Sequence, residues 1–139
     1  MQIIKQACGV YETNCYILFT PKGEFIIDPG TDALLFIKKH VKNPLAILNT
    51  HGHYDHIWDN AKVKKEYNIP IYIHKNDAFM LHDDFNQGYD SSDADFLVDN
   101  EDILNICGVD FKFHFLPGHG QETTLKEEQV HLPSWLRYF

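Results

Sequence analysis

Along the chain, short apolar runs alternate with amphipathic stretches. Residues 2–6, 14–19 and 24–27 read as strands, and Pro21-Lys22-Gly23 between the last two reads as the turn of a hairpin. Asp28-Pro29-Gly30 ends the third strand. Thr31 or Asp32 can then cap a helix whose Leu34, Leu35, Ile37 and Val41 form an apolar face, and Asn43-Pro44 stops it. Residues 45–48 are a continuous apolar run, which suits a strand covered on both faces. A second helix is predicted from Asp55 to Tyr67 with Ile57, Trp58 and Ala61 inward, closed by Asn68-Ile69-Pro70 and followed by a brief strand at 71–73. Phe111, Phe113 and Phe115 alternate with Lys112, His114 and Leu116 in a half-buried strand over 109–116 that ends at Pro117-Gly118-His119. Thr124-Leu125-Lys126-Glu127 is a capping box opening a last helix, which Pro133 ends or kinks. Alternation of strands and helices is the signature of a layered α/β fold.

Composition narrows this picture. With 139 residues, 44% hydrophobic and 14% aromatic, the chain has the length and apolar content for one cored domain, 1–139, and not for two. Twelve basic against twenty acidic residues leave a net charge of −8, a poor footprint for nucleic acid or an anionic lipid surface. The apolar runs are far too short to span a bilayer, and no basic-then-apolar leader opens the chain, so the expectation is a soluble protein. Cys8, Cys15 and Cys107 show no CxxC spacing and cannot all pair; they read as small buried thiols in a cytoplasmic protein. Residues 82–102 carry eight acidic side chains and no Lys or Arg, which predicts a long solvated surface loop. A calcium loop is excluded there because the turn glycine is absent.

The chemistry concentrates where the 45–48 strand ends. His51, His53, Asp55 and His56 fall within six residues at the carboxyl edge of a strand, where open α/β sheets place their ligands. Residues two apart in extended backbone point the same way, so His51 and His53 can grip one ion, while Asp55 and His56 face a second or support the first. Imidazole with carboxylate suits zinc, iron or manganese and not calcium. A metal bound with an open position lowers the pKa of water from 15.7 to about 7 and polarises the bond under attack, and Asp55 is placed to orient that water.

Thr50-His51-Gly52-His53-Tyr54-Asp55-His56 resembles the His-x-His-x-Asp-His motif of the metallo-β-lactamase superfamily. Thr13-Asn14-Cys15-Tyr16-Ile17-Leu18 and Ile27-Asp28-Pro29-Gly30 are similar to the second strand and first turn of its glyoxalase II-like branch. The resemblance implies an αββα sandwich of two similar halves around a dinuclear site, with His51 and His53 on one metal and Asp55 and His56 on the other. It also implies a third histidine in a Pro-Gly-His turn, a bridging aspartate in a Gly-Asp turn and a last histidine. One Pro-Gly-His occurs, at His119, and no Asp follows Asp110. The expectation is therefore a shortened sandwich, the N-terminal half plus a C-terminal helix, holding one ion on His51, His53 and His119, with a second site that keeps only Asp55 and His56, too few for tight binding. Zinc is the expected metal, with iron or manganese as alternatives.

The activity so implied is hydrolysis of a thioester or similar small ester by metal-bound hydroxide, with Asp55 catalytic. Two other readings follow from the absent carboxylate: a catalytically inactive metal-binding or dimeric structural protein, and a mononuclear iron persulfide dioxygenase. A row of Phe111, Phe113 and Phe115 left uncovered by a shortened fold predicts a homodimer. The expected substrate is a small molecule.

Overall fold

In the computed structural model the chain is described over residues 2–99 and 103–112. Strands β1 (Gln2–Cys8), β2 (Thr13–Thr20) and β3 (Gly23–Ile27) run antiparallel in turn. The chain then crosses through helix α1 (Ala33–His40) to β4 (Pro44–Leu48), and through α2 (Tyr54–Ile57) and α3 (Asn60–Tyr67) to β5 (Ile71–His74). Strand β6 (Phe96–Val98) follows a 3₁₀ turn at Ala78–Leu81, and β3 to β6 are parallel. These six strands form one sheet in sequence order, while β7 (Ile103–Ile106) and β8 (Val109–Lys112) make a separate antiparallel hairpin.

The period-two alternation of the strands sorts the core into two faces. Tyr16, Leu18, Phe25, Ile27, Ala46 and Leu48 face Ile106, Val109 and Phe111 of the hairpin, and Phe111 meets Phe25 edge-on with ring centroids 4.7 Å apart. Cys15, Ile17, Ile26, Ile47, Ile71 and Ile73 face the other way, onto Ala33 and Ile37 of α1, Ile57 of α2 and Val63 of α3. The layers are thus helices, mixed sheet, hairpin. This is the α/β layering of a metallo-β-lactamase-like sandwich. Among the described residues no helix is long and apolar enough to cross a membrane.

Several expectations need correction. The helix predicted over 55–67 is two short helices, because the Asp59 amide leaves the helical ladder to donate to the Pro29 carbonyl at 3.0 Å. Val63 then takes the buried position in place of the half-buried Trp58 and Ala61. In α1, Ala33 and Ile37 are buried while Leu35 is 68% exposed, and Asp32 at the N-cap makes no side-chain capping bond. A distant carboxylate serves that helix end instead: Leu34 N–H donates to Asp59 Oδ2 at 3.0 Å. The acidic stretch is exposed along most of its described length, as expected, but it is not all loop, for β6 lies inside it. Cys107 is exposed, unlike Cys8 and Cys15, because it sits at the β7–β8 turn. Phe111 is buried by the sheet it packs on and is not part of an uncovered row. Phe113, Phe115, His119 and the helix expected from Thr124 lie outside the described residues.

Burial also marks Asp59 electrostatically. Its Oδ1 has no hydrogen-bond partner among the described residues, and desolvation lifts its carboxyl above the ordinary carboxylate range, with the Leu34 amide pulling partly the other way. A carboxyl with a raised folded pKa favours the fold below its unfolded pKa and loses that contribution as pH rises through the folded value. Urea denaturation from pH 4 to pH 7 is therefore expected to show the wild type losing stability relative to Asp59→Asn as pH rises. Parallel curves would remove the assignment.

Candidate metal centre

The site is assembled by backbone that only small residues permit. Strand β3 ends in Asp28, whose φ of 54° turns the chain, and Asp28 N–H still donates to Leu48 O at 3.2 Å, tying that turn to the end of β4. A Cβ on Gly30 would lie 2.5 Å from the Asp55 carbonyl oxygen, so the first turn and the start of α2 touch only because Gly30 has none. A Cβ on Gly52 would likewise lie 2.9 Å from both the Asp77 carbonyl oxygen and Met80 Cβ, and the Gly52 amide donates to the buried Asp77 carboxylate at 3.0 Å. At the base of the site Asn49 and Asn60 exchange side-chain amide bonds of 3.2 and 2.7 Å, fastening α3 to the end of β4.

Into this frame the sequence places three imidazoles. His51 and His56 are each 1% exposed, with ring centroids 4.0 Å apart; His53 is exposed, and its ring meets that of His51 edge-on at 4.4 Å. Residues 51–53 are not strand; His51 is buried and His53 exposed, and their rings nonetheless touch. The ligand-type atoms of Asp28, His51 and His56 all lie within 4.8 Å of one another.

Asp28 organises both buried rings. Its Oδ1 accepts the Thr50 amide at 2.8 Å; its Oδ2 accepts the Thr50 hydroxyl at 2.5 Å and sits 2.9 Å from His56 Nδ1. Thr50 has one hydroxyl proton. Because that proton goes to Asp28, the 3.0 Å contact between Thr50 Oγ1 and His51 Nδ1 must be donated by the imidazole. His56 Nδ1 likewise donates to the carboxylate. Bond accounting therefore puts a proton on Nδ1 of both rings and leaves each Nε2 as the ring nitrogen turned away from that network. Metal-ligating histidines are oriented in this way, by a carboxylate or an oxygen behind the ring. The donor set suits a borderline divalent metal, and Asp28, with both oxygens engaged, stands behind the two buried rings.

Asp55 lies on the far side of His56. Its Oδ2 is 3.5 Å from His56 Nε2 and accepts the Thr13 hydroxyl at 2.6 Å. Beside it Tyr54 donates to the Tyr11 hydroxyl at 2.7 Å, which joins the β1–β2 turn to α2 and pushes the Tyr54 phenol up to about 12. His40, His74 and His82 stand outside the group of Asp28, His51 and His56.

A sequence profile described as the metallo-beta-lactamase superfamily matches residues 8–130. The chain belongs to that superfamily. Its relatives include the probable metallo-hydrolase YqgX of Bacillus subtilis, 33% identical over 122 residues, which are 80% of this chain and 58% of that protein. The hydroxyacylglutathione hydrolase GloC of Haemophilus influenzae is 30% identical over 123 residues, 78% of this chain and 58% of the relative. Among solved structures, the BLEG-1 B3 metallo-beta-lactamase superposes with a TM-score of 0.71 at 31% identity, covering 80% of this chain and 59% of its own. The metallo-beta-lactamase GOB-18 of Elizabethkingia meningoseptica, TM-score 0.70 at 21% identity over 86% of this chain and 52% of its own, shares the fold. The chain thus spans somewhat more than half of each of these superfamily members.

Sequence reading brought forward His51, His53, Asp55 and His56, and the fold gathers them at one edge of the sheet. It overlooked Asp28 and Thr50 as supports of the two buried rings. Asp28 carried a signal, a polar residue closing an otherwise apolar strand. Thr13 and Asp77 carried none, because their partners lie 42 and 25 residues away.

Proposed function

We propose that this chain is a metal-dependent hydrolase of the glyoxalase II-like kind, acting on a thioester or similar small ester. The observation that carries the reading is the Asp28–Thr50 network, which prepares the Nε2 atoms of two adjacent buried imidazoles as ligands. His51 and His53 would hold a first ion, with His119 as its expected third ligand, and Asp55 and His56 would face a second. A divalent ion held there supplies Lewis acidity and activation of water. The chain's own residues do the rest. Asp28 keeps His56 in one tautomer, Thr50 does the same for His51, and Asp55 stands as the carboxylate that orients the attacking water. The GloC relative, named a hydroxyacylglutathione hydrolase, points to a glutathione thioester as the first substrate to try.

The test combines elemental analysis with turnover. Zinc-reconstituted protein is expected to cleave a hydroxyacylglutathione thioester, to lose that activity on chelation and to regain it when zinc returns. Metal uptake without turnover of any thioester or ester would leave a metal-binding protein and overturn the hydrolase reading. Iron found after anaerobic purification, with oxygen consumed on a glutathione persulfide, would replace it with the dioxygenase.

A further inference from the structure

Thr13 is fully buried, yet it carries a hydroxyl, and a buried hydroxyl is costly unless it is bonded. Its proton goes to Asp55 Oδ2 at 2.6 Å, the length of a charge-assisted O–H···O⁻ bond. The two partners come from elements of very different rigidity. Thr13 opens β2, a strand paired on both sides, and its branched side chain has a restricted χ1. The turn before it is closed by Glu12 N–H donating to Gly9 O at 3.1 Å, with Gly9 and Glu12 both at positive φ, so the side chain enters the sheet edge at a set angle. Asp55 by contrast sits in α2, four residues long and too short to be rigid alone.

We propose that Thr13 is a positioning residue for Asp55: its buried hydroxyl holds the carboxylate beside His56 Nε2 and thereby raises the affinity of the Asp55 and His56 pair for a divalent cation. The proposal rests on the metal-dependent reading of the site. It differs in kind from the role of Asp28, which acts on imidazoles through their Nδ1 atoms. Thr13 acts on a carboxylate, from another strand, and bears on one half of the site only. Loss of the hydroxyl should accordingly weaken one metal-binding event and spare the other.

Cobalt(II) titration of metal-free protein, followed by its visible spectrum, separates the alternatives. Thr13→Val keeps shape and burial while removing the donor; it is expected to weaken the Asp55 and His56 binding event by about 10- to 100-fold and to leave the His51 and His53 event unchanged. Thr13→Ser retains the hydroxyl and should restore wild-type binding. Valine binding as tightly as wild type, or serine binding as weakly as valine, overturns the proposal. If the wild type takes up no cobalt, the metal reading itself fails. The positioning claim is then decided on metal-free protein from the Cβ-proton couplings of Asp55, with one χ1 rotamer expected in the wild type and an averaged one in Thr13→Val; equal couplings reject it. Should Thr13→Val not fold, the wild-type couplings suffice, since an averaged Asp55 rotamer would reject positioning.

Discussion

Replacing His51 by alanine is expected to abolish stoichiometric metal uptake and to reduce turnover by well over the about 10- to 100-fold typical of losing an outer partner. His51 is the central ring of the three, in contact with His53 on one side and His56 on the other, and it is sealed from solvent. Without it the exposed His53 loses its neighbour and His56 keeps only Asp55 at hand. Thermal unfolding of the metal-free protein provides the control, because a folded variant that binds no metal separates ligation from stability. His40→Ala, an exposed ring that touches Phe36, is expected to change neither measurement. Metal uptake by His51→Ala at wild-type affinity would place the ion elsewhere.

Asp28→Ala is expected to be the most destabilising change at the site, by about 3–5 kcal/mol in urea denaturation of the metal-free protein. Three donors lose their acceptor at once: the Thr50 amide, the Thr50 hydroxyl and His56 Nδ1–H. The first and last are shielded by a carboxylate that is itself 2% exposed, so water does not readily replace it. Alanine must also adopt the φ of 54° that aspartate and asparagine tolerate better. Against a domain stability of about 5–15 kcal/mol, such a loss leaves much of the chain unfolded at moderate temperature. Asp28→Asn keeps the turn and one acceptor; it should fold, and bind metal about 10- to 100-fold more weakly. A cost below about 1 kcal/mol for the alanine variant would show that Asp28 is not the hub of the site.

The contrast between these two residues shows which part of the site can be read along the chain. His51 announces itself because its partners His53 and His56 are near neighbours in sequence, and imidazoles rarely crowd so densely after an apolar strand without an ion to hold. Asp28 lies 28 residues from the ring that it orients. Its position at the end of β3 is legible, whereas its bond to His56 exists only because β3 and β4 pair in parallel and bring their carboxyl ends together. The same holds for the break between α2 and α3. Helical periodicity runs through Trp58 and Asp59 without interruption, and what ends α2 is the Pro29 carbonyl, supplied by a turn 30 residues upstream. Strands β6 and β7 escaped sequence reading for a related reason: each is short and lies in or beside an acidic stretch, and pairing with β5 and β8 defines them.

What the sequence by itself determined was the alternation of strand and helical segments as far as β5, the edge of the sheet at which chemistry would sit, and the metal-binding residue types gathered there. Those properties are local, set by side-chain period, turn residues and spacing. The tertiary structure alone decided which histidines are buried, where their Nδ1 protons go and which hydroxyls and carboxylates hold them. A buried polar group takes its protonation and orientation from whatever partner the fold places within about 3 Å, and for Asp28, Thr13 and Asp77 that partner comes from a distant part of the chain.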